Sequence, residues 1–411
     1  MKFFLVNRFF WPDESATALL LTDLAEDLVG RGHEVHVFTS RQLYNQPNAR
    51  LSEYEIWQEV AIHRLPSTAY GRRSFRGRLL DLATFHWSLR SLKHFPALPD
   101  AWFVMTDPPF VLNSVLKLQK KLGGRVIHHV DDLYPDLAVA LGELPANGLL
   151  LKSLQRLAID GLMKCDRILA LGQCMAGILG KKLNNRKDIA ITVPWADGKK
   201  LSPLRRSENR FRKELGVSEQ DFLVMYSGNI GKGHLFDTIL ECAKEFDNQK
   251  NIYFVFIGDG AKRQEIENFC KQHNLRNCKL LPYQPRARLR ESLSAGDVHL
   301  ISLNAKVQGL IVPSKLAGIL AVGRPAIFLG TSQNSVAQAI KAGGCGFVIA
   351  EGDKEILKKR ILMLSEDDKY RQEMGGRSRV LFEEKYERRK VTSEIIYYLE
   401  TADINKRINI C

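Results

Sequence analysis

The apolar positions recur in a strand-then-helix rhythm over most of the chain. An apolar run at 3–6 (FFLV), a loop through Pro12 to Ser15, apolar residues at helical spacing over 19–29, and Val35, Val37 and Phe38 predict strand, helix, strand. Further strands are expected at 61–65, 101–105, 126–130, 168–171 and 189–193, with helices at 78–93, 110–122 and 149–163. Strand alternating with helix predicts a parallel, doubly wound α/β sheet, whose ligands bind at the carboxyl ends of the strands. The loop of the first unit carries Ser15, Ala16 and Thr17 where nucleotide-binding units often carry glycines, so it reads as a cleft wall.

The rhythm restarts after a polar, basic stretch at 199–213. Strands are expected at 222–226, 252–257, 279–281, 298–302, 325–329 and 346–348, with helices at 235–246, through Cys270, and at 286–295. The predicted division is a domain over 1–204, a second over 205–385, and a C-terminal helix over 386–411 that packs back on the first. A chain of 411 residues is long enough for two ordinary domains.

Two stretches of the second half carry the candidate chemistry. Gly228-Asn229-Ile230-Gly231-Lys232-Gly233-His234 follows a strand and precedes a helix, which would let backbone approach a phosphate closely; a tight turn with no ligand explains the same glycines. GLIVPSKLAGILAVGRP (309–325) runs from a loop into Pro313-Ser314-Lys315, then Leu316, Ile319 and Leu320 at helical spacing. A helix start there would turn unpaired N–H groups toward an anion, with the Lys315 ammonium beside them; an ordinary helix start with a solvated lysine is the alternative.

In the first half, His128-His129-Val130-Asp131-Asp132-Leu133-Tyr134-Pro135-Asp136 ends an apolar strand. Adjacent strand histidines point to opposite faces, so they cannot share one metal ion, and no metal site is expected. His129 and Asp132 are candidates for orienting an acceptor hydroxyl, or for hydrogen bonds within their own domain.

Charge adds a partner class. The formal charge of +14 calls for an acidic partner or surface, but there is no zinc-finger spacing, ribonucleoprotein-type aromatic motif or basic helix with heptads, so nucleic acid is not expected. Arg72, Arg73, Arg76 and Arg78 lie beside Phe75 and the apolar-basic stretch 79–95, a mixture suited to an anionic membrane surface. The N-terminal apolar run is broken by Asn7 and Arg8 and reads as a core strand, and seven cysteines lack a paired C-x-x-C spacing; both fit a cytoplasmic chain with reduced thiols.

Assembled, RGHEVHVFTS (31–40), HHVDDLYPD (128–136), VPWADG (193–198), YSGNIGKGH (226–234), FIGDG (256–260), LLPYQP (280–285), AGDVHLISL (295–303) and VPSKLAGILAVGRP (312–325) resemble the retaining family 4 glycosyltransferases. The likeness is to the branch that builds bacterial surface polysaccharides, such as the colanic acid and O-antigen sugar transferases. The resemblance implies a GT-B fold of two Rossmann-like domains facing a central cleft. It implies a metal-independent hexosyltransferase without cofactor, with a nucleotide-sugar donor held by the C-terminal domain and a lipid-linked or saccharide acceptor by the N-terminal one. It places Gly228, Asn229, Gly231, Lys232, His234, Gly258 and Leu310 around the donor, Tyr283 and Gln284 beside its base, and Pro313, Ser314 and Leu316 on its phosphates. Lys315 would support the leaving diphosphate, and work at the inner face of the plasma membrane is implied.

The chain departs from that family where two glutamates with seven residues between them are common: Leu310 and Gly318 stand there. Asn229 and His234 replace the usual arginine and lysine, leaving Lys232 as the nearby cation. The departures keep a second reading open, a non-catalytic relative serving as the binding subunit of a partner transferase. Nucleotide-sugar epimerisation on the same architecture is a third.

Overall fold

The computed structural model describes the chain except residues 45, 47, 48, 71–74, 96, 186–188, 250 and 402–411, and it falls into two compact units. The first runs from Met1 to Val193 and takes up the chain again from Arg389; the second is Pro194–Arg388. The basic stretch 199–213 therefore lies inside the second unit. Arg72 and Arg73, two of the four arginines expected at a membrane, lie outside the described residues.

The first unit contains β1 (Lys2–Val6), α1 (Ala16–Val29), β2 (Glu34–Ser40), β3 (Tyr54–Trp57), β4 (Val60–Leu65), α2 (Phe75–Arg90), β5 (Ala101–Val104), α3 (Val111–Leu122), β6 (Arg125–Val130), α4 (Asp136–Ala140), α5 (Leu149–Lys164), β7 (Arg167–Leu171), α6 (Gly172–Lys182) and β8 (Ile189–Thr192). Its eight-stranded sheet has the order β3-β4-β2-β1-β5-β6-β7-β8 and is parallel except for β3. Strands such as FFLV and AWFV are apolar at successive positions because helices cover both faces, and Phe3 through Val6 are all fully buried.

The second unit contains α7 (Arg210–Glu214), β9 (Phe222–Ser227), α8 (Asp237–Glu245), β10 (Ile252–Ile257), α9 (Arg263–Gln272), β11 (Cys278–Leu281), α10 (Leu289–Ala295), β12 (Val298–Ser302), α11 (Lys315–Ala321), β13 (Ala326–Leu329), α12 (Ser335–Gly343), β14 (Gly346–Ile349), α13 (Lys354–Glu366) and α14 (Asp368–Leu381). Its six strands are all parallel, in the order β11-β10-β9-β12-β13-β14. The two-residue period of β9 divides the core: Phe222, Val224 and Tyr226 pack on the side of Phe236 and Phe254, Leu223 and Met225 on the side of Phe211 and Val255.

The last helix, α15 (Arg388–Glu400), packs on the first unit, where Thr392 donates to Asp27 at 2.7 Å, Arg125 donates to the Leu399 carbonyl at 2.7 Å and His33 meets Glu400 at 2.9 Å. A buried ion cluster anchors the start of β12: Asp297, 1% exposed, accepts from the Leu223 amide at 2.7 Å, Arg206 at 2.7 Å and Arg212 at 3.0 Å. No described helix is long and apolar enough to cross a membrane.

Candidate functional site

Strand order reverses in each sheet at one place, and that is where an open parallel sheet leaves a crevice. In the second unit the neighbours there are β9 and β12, joined at Val298↔Val224 and His299↔Met225. The chain leaving β9 is the loop 228–234, and it is tied down on every side. Gly228 donates its amide to the Ile257 carbonyl at 2.8 Å, Ile230 to Asp259 at 2.9 Å and Leu235 to the Ser302 hydroxyl at 3.0 Å, while Asn304 donates to the Gly233 carbonyl at 2.9 Å. The loop is thus fixed by the ends of β10 and β12, as a preorganised site requires.

The glycines have a more specific cause than room for a ligand. A Cβ on Gly228 would lie 2.9 Å from Lys315 Cε, so the missing side chain is what lets the lysine stem cross the loop. Gly258 has φ +141°, and a Cβ there would lie 2.0 Å from the Gly228 carbonyl oxygen, so only glycine permits the two loops to touch. Asn229 and Lys232 are exposed at the loop's rim.

Lys315 opens α11. Its Nζ donates to the Tyr226 hydroxyl at 2.5 Å and lies 3.8 Å from the centroid of that ring, and Tyr226 donates onward to the Asn229 carbonyl at 2.8 Å. Lys315 as a residue is half-buried, but its ammonium is enclosed, and that desolvation pushes its pKa down to about 7. The helix behind it is only seven residues long and Ser314 makes no side-chain cap, so the dipole effect expected from the sequence is small and the lysine carries the positive charge. Leu316 is buried in the core, so only its backbone can face a ligand, and the Leu310 amide is used on Val307.

His234 supplies no positive charge where the family resemblance has a lysine. Burial, then Lys315 and Lys262, push its pKa down to about 3, and its Nδ1–H donates to the Ser302 carbonyl at 2.6 Å. The neutral ring presents Nε2 as an acceptor, suited to a hydroxyl rather than a phosphate. Tyr283 follows β11 and donates to the Asp259 carbonyl at 3.4 Å, which sets it beside the Gly258 loop, while Gln284 donates to the Pro282 carbonyl at 3.0 Å.

Three residues were not among those picked out from the sequence. Tyr226 is the anchor for Lys315; Arg263 braces the Gly258 and Leu281 carbonyls at 2.6 and 3.0 Å; and Lys262, whose amide donates to the Ile230 carbonyl at 3.0 Å, brings a second cation near His234. The phrase GDGAKR contained the last two, but nothing in its spacing tells a brace from a solvated charge.

In the first unit, the reversal lies between β1 and β5, and a carboxylate cluster follows β6 next door. His128 and His129 are both buried. His128 Nδ1–H donates to the Val104 carbonyl at 2.8 Å, with burial pushing its pKa down to about 4, and is structural; His129 Nδ1 meets Asp131 at 3.3 Å. Burial, then Asp131 and Asp107, push Asp132 up to about 7. Asp132 as a residue is half-buried with its carboxyl out of water, and a carboxyl titrating near 7 could accept or give a proton. Of the arginines expected at a membrane, Arg76 is exposed on α2 and Arg78 pairs with Glu143 at 3.5 Å.

Comparison with known proteins supplies what geometry alone does not. Residues 18–194 match the model for Glycosyltransferase Family 4, and residues 207–380 the model for Glycosyl transferases group 1. The chain belongs to the GT-B glycosyltransferases. WcaI of Escherichia coli (strain K12), whose name assigns it to colanic acid biosynthesis as a glycosyl transferase, is 24% identical over 355 residues, 82% of this chain and 85% of that one. The fold of sucrose-phosphate synthase from Thermosynechococcus elongatus matches with a TM-score of 0.77 at 13% identity, covering 97% of this chain and 98% of that one. HepE of Anabaena, solved with UDP and glucose, matches with a TM-score of 0.71 at 13% identity, covering 98% and 100%. In this glycosyltransferase, the match to the group 1 model contains the whole Gly228, Gly258 and Lys315 cluster, and the match to the family 4 model contains His129 and Asp132.

Proposed function

We propose that this glycosyltransferase transfers a sugar from a nucleoside-diphosphate donor held by the second unit to a hydroxyl of a saccharide or lipid-linked acceptor. The observation that carries the reading is the enclosed Lys315 ammonium, lying over Gly228 where the second sheet reverses its strand order. As the bond from the sugar's anomeric carbon to the diphosphate breaks, negative charge grows on the departing oxygen, and a fixed ammonium stabilises it without reorganisation. That ammonium supports a metal-independent transfer. Attack of the acceptor hydroxyl from the face the diphosphate leaves, with its proton passing to the departing phosphate, gives retention of configuration. Asp132 orients the acceptor, while His129, 0% exposed and paired with Asp131, acts only through its neighbours.

The likeness to WcaI supports surface polysaccharide synthesis as the setting, with the acceptor at a membrane face. HepE, solved with UDP and glucose, supports a uridine diphosphate hexose as the first donor to try. Proton NMR of the reaction with each candidate donor tests the reading: the product should appear with the donor's anomeric configuration, and inversion would overturn retention.

Leu310 and Gly318 favour one other reading, the non-catalytic binding subunit. A Cβ at Gly318 would already lie 3.2 Å from Leu293 Cδ1, so a carboxylate there would require Leu293 to give way. That reading predicts no sugar transfer and no donor hydrolysis with any acceptor extract.

A further inference from the structure

Three of the described cysteines are sealed in the cores. Cys165, Cys242 and Cys345 are 0% exposed, and burial pushes the Cys242 thiol up to about 12 and the Cys345 thiol up to about 11, which leaves both inert. Cys174, Cys270 and Cys278 are half-buried, and of these Cys270 and Cys278 stand side by side, sharing a hydrogen bond between their sulfurs.

The turn between α9 and β11 brings the two together. Cys270 lies in the last turn of α9, where its carbonyl accepts from the Leu275 amide at 3.0 Å, and Asn274 adopts the left-handed φ of +50° that sends the chain back. Asn277, 4% exposed, fixes the start of β11: its Nδ2 donates to the Ala243 carbonyl at 2.8 Å, its amide donates to Asp247 at 3.2 Å, and its carbonyl accepts from the Phe254 amide at 2.7 Å. Cys278 follows at once. Its thiol proton is shared between Asn277 Oδ1, at 3.4 Å, and the Cys270 sulfur, and both side chains rest against the same apolar core. Accepting that proton favours the thiolate on Cys270, and donating it keeps Cys278 protonated. A nucleophilic sulfur thus stands beside a second thiol able to resolve what the first one forms.

We propose that Cys270 and Cys278 are a site of reversible oxidation, at which a peroxide closes a disulfide across the turn between α9 and β11. The Cys270 sulfur attacks the O–O bond of hydrogen peroxide and becomes a sulfenic acid as one water leaves. The Cys278 sulfur then attacks that sulfur, and its proton departs with the hydroxide as a second water. Two thiols and one peroxide give one disulfide and two waters, the peroxide taking up the two electrons. At the other end of α9, Arg263 already donates to the Leu281 carbonyl of β11 at 3.0 Å, so the disulfide fastens helix to strand at both ends. The pair is independent of the sugar-transfer reading.

Peptide mapping tests it. The reduced full-length chain is treated with hydrogen peroxide, blocked with iodoacetamide and digested with trypsin, which cuts after Lys271 and Arg276 and so parts the two cysteines unless they are linked. Peptides 264–271 and 277–279 should appear joined, two hydrogens lighter than their sum, and in about ten-fold or greater excess over any link to Cys174. The linked chain should melt a few degrees above the reduced one and return to it with dithiothreitol. Cys270→Ser should remove the link and Cys174→Ser should leave it in place; should either variant fold poorly, the parent's own peptide map decides. Peptides that stay separate, Cys270 found only as sulfinic or sulfonic acid, or links made chiefly to Cys174 or between molecules overturn the proposal. A linked chain that melts no higher than the reduced one overturns the fastening of α9.

Discussion

Lys315 Nζ rests 2.5 Å from the Tyr226 hydroxyl, with its stem in the space that Gly228 leaves open. The pair is costly to keep. Enclosure lowers the lysine from its usual 10.5 to about 7, so between those values the unfolded chain holds a proton that the folded one lacks. Stability therefore rises as pH climbs from 7 toward 10.5, and at pH 7 and below the folded protein bears the cost of a confined charge. Lys315→Met should melt higher than the parent at pH 6.5, the gain shrinking toward pH 10, while turnover falls by about 100-fold or more. A variant that melts lower at every pH, or turns over normally, contradicts this.

Asp132 titrates the other way. Its carboxyl is raised from 3.8 to about 7, so the folded state holds the extra proton, and the group's contribution is complete below pH 3.8 and lost as pH rises through 7. Asp132→Asn should leave the melting temperature near the parent's at pH 4.5 and raise it by a few degrees at pH 8. Melting curves at those two pH values check the sign.

Gly258→Ala places a methyl 2.0 Å from the Gly228 carbonyl at a φ of +141°. The variant should lose about 1–3 kcal/mol of stability and its nucleoside-diphosphate binding together, because the loop under Lys315 must move. Gly177→Ala is the comparison: it lies in α6 with open space at the would-be Cβ, and should gain about 0.5–1 kcal/mol. Chemical denaturation of both separates backbone conflict from a general effect of alanine.

Asp297 holds the start of β12 by pairing with Arg206 and Arg212 out of water. Asp297→Ala leaves a buried guanidinium uncompensated and should cost about 3–5 kcal/mol. Glu214→Ala breaks a surface pair with Arg288 of similar length, 2.8 Å, and should cost less than about 1 kcal/mol. Urea unfolding measures both.

Much of this architecture was legible because buried parallel strands must be apolar at successive positions: FLVMY, IYFVF and AIFL announce β9, β10 and β13 without help from their neighbours. Tyr54–Trp57 was missed since β3 is an exposed antiparallel edge whose YEIW has no apolar run, and α6 was missed because GQCMAGILGKK spends three of its positions on glycine. The donor-side glycines and Lys315 were readable as a group, but their mutual dependence was not. That Gly228 makes way for a lysine nearly ninety residues on, and that Tyr226 is its anchor, exists only once β9 and α11 are brought together. His234 stands where the resemblance has a lysine, and the depth of its neutrality, set by burial and then by Lys315, is something no local spacing records. For α2 the sequence showed apolar and basic residues mixed, and only the burial of Asp81, Phe85 and Leu89 reveals which face is turned inward.

The central claim is that the Gly228 loop and Lys315 grip a diphosphate, and titration calorimetry at pH 7 with uridine, guanosine and thymidine diphosphates tests it most directly. The account predicts one-site binding of at least one of the three, about ten-fold weaker or more in Lys315→Met, with net proton uptake as the diphosphate raises the lysine's pKa. No binding by any of the three, or equal affinity in parent and variant, would contradict it.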